Sequence, residues 1–305
     1  MFYFRSVKRH DPKPYLDASI TLRDGRRLGY AAFGDPSGRP VFWFHGTPGA
    51  RQQLPPDAPR LARERGFRII GVDRPGIGHS TPHRGRTLFT FADDVTELAD
   101  RLNAPRFACI GLSGGGPYVL ATSHRHPDRV VAGISLGGVG PTNGEEGAPG
   151  YIRLTKWLRA VAQVERPLAD VLSLVVQPLR PLFSPVFELF VRFGPQEDRL
   201  VFETPEMKQM FAEDIVGATH QGLRAFVSDI AIFSRPWPFS VRQIRVPIRF
   251  YHGDADTIVP VSHSAHLAAL VPNSRLKVLP GLGHFAGFCN TATLLDEIDA
   301  LWPTP

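Results

Sequence analysis

Apolar and polar residues alternate near the start of the chain, and further on the apolar ones close up into short unbroken runs. Ile20 and Leu22, then Leu28, Tyr30 and Ala32, take every second position on either side of Asp24-Gly25, which predicts a β-hairpin over Ser19–Phe33. The runs Pro40–Phe44, Phe67–Val72, Arg106–Leu112, Val130–Leu136 and Ile248–His252 are short enough to be strands buried on both faces, and Ser274–Leu279 reads as a further strand. Helical spacing marks Ala58–Arg65, Phe91–Leu102, Pro117–Arg125, Ser262–Leu270 and Ala292–Leu301. Strands that alternate with helices, each ending in a polar or glycine-rich loop, predict an α/β fold with a mostly parallel central sheet flanked by helices.

Near Pro141 the pattern changes. From there to about residue 240 the strand signals vanish, and the Leu/Val/Phe-rich stretches Tyr151–Val164, Leu168–Val176, Val186–Phe193, Glu206–Val216 and Gln221–Phe233 have helical spacing, punctuated by prolines. Helices with no sheet of their own must pack on something already folded. The expected organisation is a core of residues 1–140 and 241–305, with residues 141–240 inserted as a helical cap or lid.

Composition narrows the class. Hydrophobic content of 43% with 21% charged residues fits a globular chain of 305 residues and argues against disorder. The net charge of +6 comes from arginines scattered over the first half, without a dense basic run or interleaved aromatics, so no nucleic-acid partner is expected. The two cysteines, Cys109 and Cys289, form no disulfide framework or zinc pattern. Residues Met1–Arg9 lack the apolar core of a signal peptide, and no run has the length of a membrane span. A cytoplasmic protein without an integral membrane segment, monomer or homodimer, is the expectation. His263 and His266, and His124 and His126, read as exposed surface rather than metal ligands, and no cofactor or metal is expected.

Chemistry gathers at the strand ends. The Arg106–Leu112 run leads into Gly111-Leu112-Ser113-Gly114-Gly115 and then a helix, the Gly-x-Ser-x-Gly nucleophile-elbow pattern, in which two glycines make room for a sharp turn that holds the serine hydroxyl above a helix N-terminus. The other strands end at His45-Gly46-Thr47, at Asp73, at Asp254 and Asp256, and at His284. In an open α/β sheet these ends line one crevice. A serine needs a base to take its proton, and the base needs a carboxylate behind it; the chain order Ser…Asp…His supplies both, with Asp254 and Asp256 as alternatives for the acid.

The motifs His45-Gly46-Thr47-Pro48-Gly49, Asp73-Arg74-Pro75-Gly76-Ile77-Gly78-His79-Ser80, Gly111–Gly115, Gly253-Asp254-Ala255-Asp256-Thr257-Ile258-Val259-Pro260 and Gly283-His284 resemble the α/β-hydrolase superfamily over about Ser19–Trp302. The likeness is to its lid-bearing branch, with esterases, proline iminopeptidases, C–C bond hydrolases, epoxide hydrolases and haloalkane dehalogenases. The resemblance implies the α/β-hydrolase fold and a triad of Ser113, His284 and Asp256, since the family pattern Gly-x-x-Asp-x-x-Val-Pro puts the acid at Asp256. It also implies an oxyanion hole from the backbone N–H groups of Thr47 and Gly114, with His45 structural and Asp73–Ser80 buttressing that side. The Thr47 hydroxyl could add a hydrogen bond there or bond locally to the backbone.

A serine nucleophile sets aside the epoxide hydrolase and dehalogenase chemistries, which use a carboxylate. The expected activity is a serine carboxylesterase acting on small or medium apolar esters, because the 141–240 stretch is apolar. A proline iminopeptidase-like aminopeptidase is the alternative, for which Glu203, Glu206, Glu213 and Asp214 are candidate amine-binding acids. A hydrolase-fold ligand-binding protein with slow turnover is another, and a cofactor-free haloperoxidase side activity could use the same triad. The partner in each enzymatic case is a small-molecule ester or amide.

Overall fold

The alternation at the start of the chain becomes two antiparallel strands, β1 (Leu16–Thr21) and β2 (Arg27–Gly34), in a computed structural model that describes residues 13–149, 192 and 196–303. β1 begins three residues ahead of Ser19, carried there by pairing with β2 along a largely exposed sheet edge rather than by burial. The apolar runs form β3 (Arg39–Phe44), β4 (Phe67–Val72), β5 (Phe107–Leu112), β6 (Val130–Leu136), β7 (Ile248–Gly253) and β8 (Ser274–Leu279). The eight strands lie in the order β1-β2-β4-β3-β5-β6-β7-β8. β2 pairs antiparallel with β1 and β4, and every other pairing is parallel.

Because successive strand residues face opposite sides, β3 feeds two cores. Val41 and Trp43 pack with Leu61 of α1 (Ala58–Glu64) and with Leu295 and Ile298 of α7 (Thr291–Leu301). Phe42 and Phe44 pack on the other face with Phe91 and Val95 of α2 (Leu88–Arg101), Val119 of α3 (Gly116–Arg125) and Leu267 of α6 (Ser262–Leu270). Burial on both faces is what an unbroken apolar run requires. α2 starts at Leu88 rather than Phe91, because the Thr87 hydroxyl accepts from the Thr90 N–H and the Thr90 hydroxyl from the Thr87 N–H, satisfying two first-turn donors.

Between β6 and β7 lie α4 (Pro205–Ala218) and α5 (Arg224–Phe233), close to the expected Glu206–Val216 and Gln221–Phe233. The helices expected over Tyr151–Val164, Leu168–Val176 and Val186–Phe193 fall outside the described residues, save for position 192. The two ends of this insertion meet. Thr142 donates its hydroxyl proton to the Phe233 carbonyl at 2.7 Å, and Glu146 accepts from the Ser240 hydroxyl at 2.5 Å and from the Val241 N–H at 2.9 Å. Among the described residues no helix is long and apolar enough to cross a membrane.

Strand order fixes where a site can form. β3 has β4 on one side and β5 on the other, so the chain runs from β3 out to β4 and then crosses back to β5, and the carboxyl ends of these strands are where such a sheet gathers a site.

Candidate active site

β5 enters the turn at Leu112 and α3 leaves it at Gly116, with Ser113 at φ +52° between them. A non-glycine residue in this left-handed region is unfavourable, and such strain persists where the surroundings hold it. They do so by close approach. A methyl group at Gly111 would stand 2.5 Å from the Gly115 carbonyl oxygen, and one at Gly115 would collide with the Phe44 carbonyl oxygen of β3. Ser113 is partly exposed while its neighbours on both sides are buried.

The loops after β7 and β8 converge on one carboxylate. Asp256 accepts through Oδ1 from the N–H groups of Ile258 and Val259, each at 2.8 Å. Its Oδ2 meets His284 Nδ1 at 2.7 Å and His252 Nε2 at 3.0 Å. Burial on its own would raise the Asp256 pKa, but the hydrogen bonds from His252, His284 and the backbone, together with the His284 charge, outweigh it and hold the carboxyl far below its ordinary value. Asp254 is exposed and accepts instead from the Gly281 N–H at 2.7 Å, so of the two alternatives it is Asp256 that reaches the histidine. With Nδ1 engaged by Asp256, the His284 ring has Nε2 left for another partner.

β6 ties this pair to the elbow. A methyl group at Gly137 would lie 3.4 Å from His284 Nδ1 and 3.5 Å from Asp256 Oδ2. Two residues on, the Val139 N–H donates to the Ser113 carbonyl at 3.2 Å. From the insertion, Asp198 accepts from the Phe285 N–H at 2.9 Å and so packs against the loop that carries His284.

The loop after β3 reaches the elbow from the other side. A methyl group at Gly46 would lie 3.7 Å from the Ser113 Cβ, and one at Gly114 would overlap the Thr47 hydroxyl. This loop is held from below by Arg74, which is fully buried and donates from Nη1 to the His45 carbonyl (2.6 Å) and from Nη2 to the Gly46 carbonyl (2.7 Å) and the Thr47 hydroxyl (2.8 Å). The Thr47 hydroxyl proton goes to Asp229 Oδ2 at 3.2 Å, neither to the local backbone nor to the crevice. Asp229, on α5 and 0% exposed, also accepts from Arg74 Nε at 3.0 Å, Arg86 Nη2 at 2.6 Å and the Tyr118 hydroxyl at 2.8 Å. Gln53 completes the support, accepting from the Gly46 N–H at 2.6 Å. His45 is structural, as expected. Its Nε2 accepts from the Arg74 N–H, its Nδ1 bonds the Gly46 carbonyl, and burial with the Arg74 charge keeps its pKa well below the usual histidine value.

The expectation of exposed histidines needs correction. His263 is buried rather than exposed, with Nδ1 accepting from the Gly140 N–H at 3.0 Å, and burial pushes its pKa down to about 4. Its partner His266 is half-buried against the Glu146 carbonyl, and the other pair is half-buried as well, His124 against the Phe239 ring and His126 against Asp93. Of the acids named in the insertion, Glu203, Glu206 and Glu213 face solvent and only Asp214 turns inward. Asp229, Asp198, Arg86, Tyr118, Gln53 and His252 were not among the functional residues expected from the sequence. Asp229 carries a signal in hindsight. It shares the buried stripe Ala225-Asp229-Ile232 at i, i+4 and i+7, and an acid on such a stripe needs a buried partner.

Residues 39–291 match the model of the alpha/beta hydrolase fold family. A non-heme haloperoxidase from Rhodococcus erythropolis is 30% identical over 278 residues, 88% of this chain and 93% of that protein. A probable proline iminopeptidase from Leptolyngbya boryana is 25% identical over 89% of each chain. Among solved structures, an esterase from Exiguobacterium antarcticum shares the fold with a TM-score of 0.69 at 21% identity, over 93% of this chain and all of the other. A family match over most of the length, on the sheet order and strand-end geometry described above, makes this chain a member of the α/β-hydrolase fold family.

Proposed function

We propose that the protein is a serine hydrolase that cleaves carboxylic esters with small or medium apolar groups through an acyl-enzyme on Ser113. The observation that carries this reading is the 2.7 Å bond between His284 Nδ1 and Asp256, beside the loop after β6 whose Val139 N–H holds the carbonyl of a partly exposed Ser113. In this reading His284 Nε2 takes the Ser113 hydroxyl proton as Oγ attacks the ester carbonyl, and Asp256 stabilises the resulting imidazolium. The N–H groups of Gly114 and Thr47 receive the oxyanion, an interaction whose loss raises the barrier by about 3 kcal/mol per donor. Collapse expels the alcohol, protonated by His284; water then repeats the sequence on the acyl-enzyme. Each step uses only groups of the chain, the substrate and water. The helices between β6 and β7 serve as the cap over the acyl group.

A proline iminopeptidase-like activity draws on the relative of that name, but it needs an acid free to hold a substrate amine. Glu203, Glu206 and Glu213 face solvent, Asp214 is buried beneath Ala50 and accepts its N–H, and Asp229 is occupied by four protein donors, which favours the ester. The test is turnover of p-nitrophenyl esters of increasing chain length beside proline p-nitroanilide, with wild type and Ser113→Ala. Ester turnover that falls by at least about 1,000-fold in Ser113→Ala is expected. Unchanged turnover in that variant overturns the reading, and preferential anilide cleavage favours the aminopeptidase.

A further inference from the structure

One peptide unit joins the Gly46 carbonyl to the Thr47 N–H, and its two ends do different things. The oxygen end receives Arg74 Nη2 at 2.7 Å and faces His45 Nδ1 at 2.8 Å. The preceding carbonyl, His45, receives Arg74 Nη1 at 2.6 Å. Hydrogen bonds from a cation to a carbonyl oxygen pull electron density along the amide and leave its N–H more positive, so bonds at one end strengthen those at the other. We propose that Arg74 is a positioning residue for ester hydrolysis, its guanidinium, anchored by Asp229 of α5, polarising and aiming the Gly46–Thr47 peptide toward the oxyanion. The proposal rests on the serine-hydrolase reading above and deepens it.

Three features make the arrangement more than a loop brace. Arg74 is 0% exposed, and a buried guanidinium is costly unless paired; Asp229 pairs it, with Nη2 to Oδ2 at 2.9 Å. Asp229 also pairs Arg86 at 2.6 Å, so two guanidinium groups share one carboxylate and the cluster keeps a net positive charge beneath the proposed oxyanion site. Finally, Arg74 spans two successive carbonyls, a hydroxyl and a carboxylate at once while lying 5.2 Å from the Tyr118 ring centre. A planar five-donor fork makes those contacts together, and a lysine ammonium does not.

The test compares wild type, Arg74→Lys and the doubly neutral Arg74→Met/Asp229→Asn. The reaction is p-nitrophenyl acetate hydrolysis, with kcat expressed per site titrated by a fluorophosphonate. Inhibition by an alkyl trifluoromethyl ketone, whose serine adduct carries an oxyanion, is measured beside it. For the double variant kcat per titrated site falls about 30-fold, a fraction of the roughly 10²–10³ lost when an oxyanion donor is removed outright. KM stays within about threefold, the ketone weakens in step with kcat/KM, and Arg74→Lys falls between the two. If the activity drop is wholly a loss of titratable sites, or kcat per site stays within about twofold in both variants, Arg74 is only structural and the proposal is overturned. Absence of Ser113 labelling in the wild type would instead overturn the hydrolase reading itself, and this proposal with it.

Discussion

Oδ2 of Asp256 faces two imidazoles, and the second of them, His252, was invisible as chemistry in the sequence. Its Nε2 lies 2.7 Å from the Val259 carbonyl and 3.0 Å from Asp256, and its Nδ1 lies 2.7 Å from the Ser264 hydroxyl. A carbonyl only accepts, so Nε2 carries the proton, and the ring's orientation is fixed from three directions. His252 thereby holds Asp256 in place for His284. A charge-assisted bond shared between two acceptors contributes at the low end of about 1.5–3 kcal/mol. His252→Leu should therefore lower kcat for an ester about tenfold at unchanged KM, and His252→Gln, which keeps a donor near Nε2, should restore most of it. Equal loss in both variants would contradict the assignment.

At the scale of elements, α4 explains why helical spacing found the helices but not what they do. Met207, Phe211, Asp214 and Ala218 recur at i, i+4, i+7 and i+11 and form its buried stripe, while Glu206 and Glu213 point outward. Asp214 accepts from the Ala50 N–H through Oδ2 at 2.9 Å, and its Oδ1 is buried with no hydrogen-bond partner among the described residues. Burial, reinforced by the Asp73 charge and opposed by the Ala50 N–H, raises its pKa well above the ordinary 3.8. The folded state then binds a proton that the unfolded chain has released, so this group's contribution to stability declines as pH rises above about 4. Asp214→Asn keeps the acceptor and removes that penalty. Its melting temperature should exceed that of the wild type by about 2–4 °C at pH 8, with the difference fading toward pH 4. A variant that melts lower at pH 8 would refute this. The strands and their order of chemistry were legible because burial on two faces and the sharp elbow each demand particular residues. The Thr87–Thr90 cap was not, because it departs from the usual Ser/Thr-x-x-Glu form, and neither was Asp229, whose partners Thr47, Arg74, Arg86 and Tyr118 lie over 100 residues away.

Taken as a molecule, the chain does not keep its insertion separate from its sheet. Phe202 and Phe211 of the insertion pack with Phe285 and Phe288, which follow His284, at ring-centre distances of 5.1–5.3 Å. Phe211 is 3% exposed and belongs to the same apolar cluster as Trp43 of β3 and Ile298 of α7. Unfolding in urea should thus be a single transition by near-ultraviolet circular dichroism and by loss of activity alike. Phe211→Ala should lower stability by about 3–5 kcal/mol while keeping the transition single. An early loss of activity ahead of the main transition would show that the insertion melts alone. Arginine was the residue most easily misjudged at this scale. The arginines scattered over the first half are partly internal, with Arg51 and Arg74 buried in ion pairs to Asp73 and Asp229.

The bonds that join Thr142 and Glu146 to Phe233, Ser240 and Val241 bring the start and finish of the insertion to one doorway. For a segment pinned at its mouth, the entropy of closing the loop grows only with the logarithm of its length, about 0.6 kcal/mol for each doubling. Changes of length beyond that doorway thus add little closing entropy of their own. Such changes must still leave in place what the segment delivers to the sheet: Phe202 and Phe211 to the core beside the His284 loop, and a carboxylate to the two arginines waiting at Arg74 and Arg86.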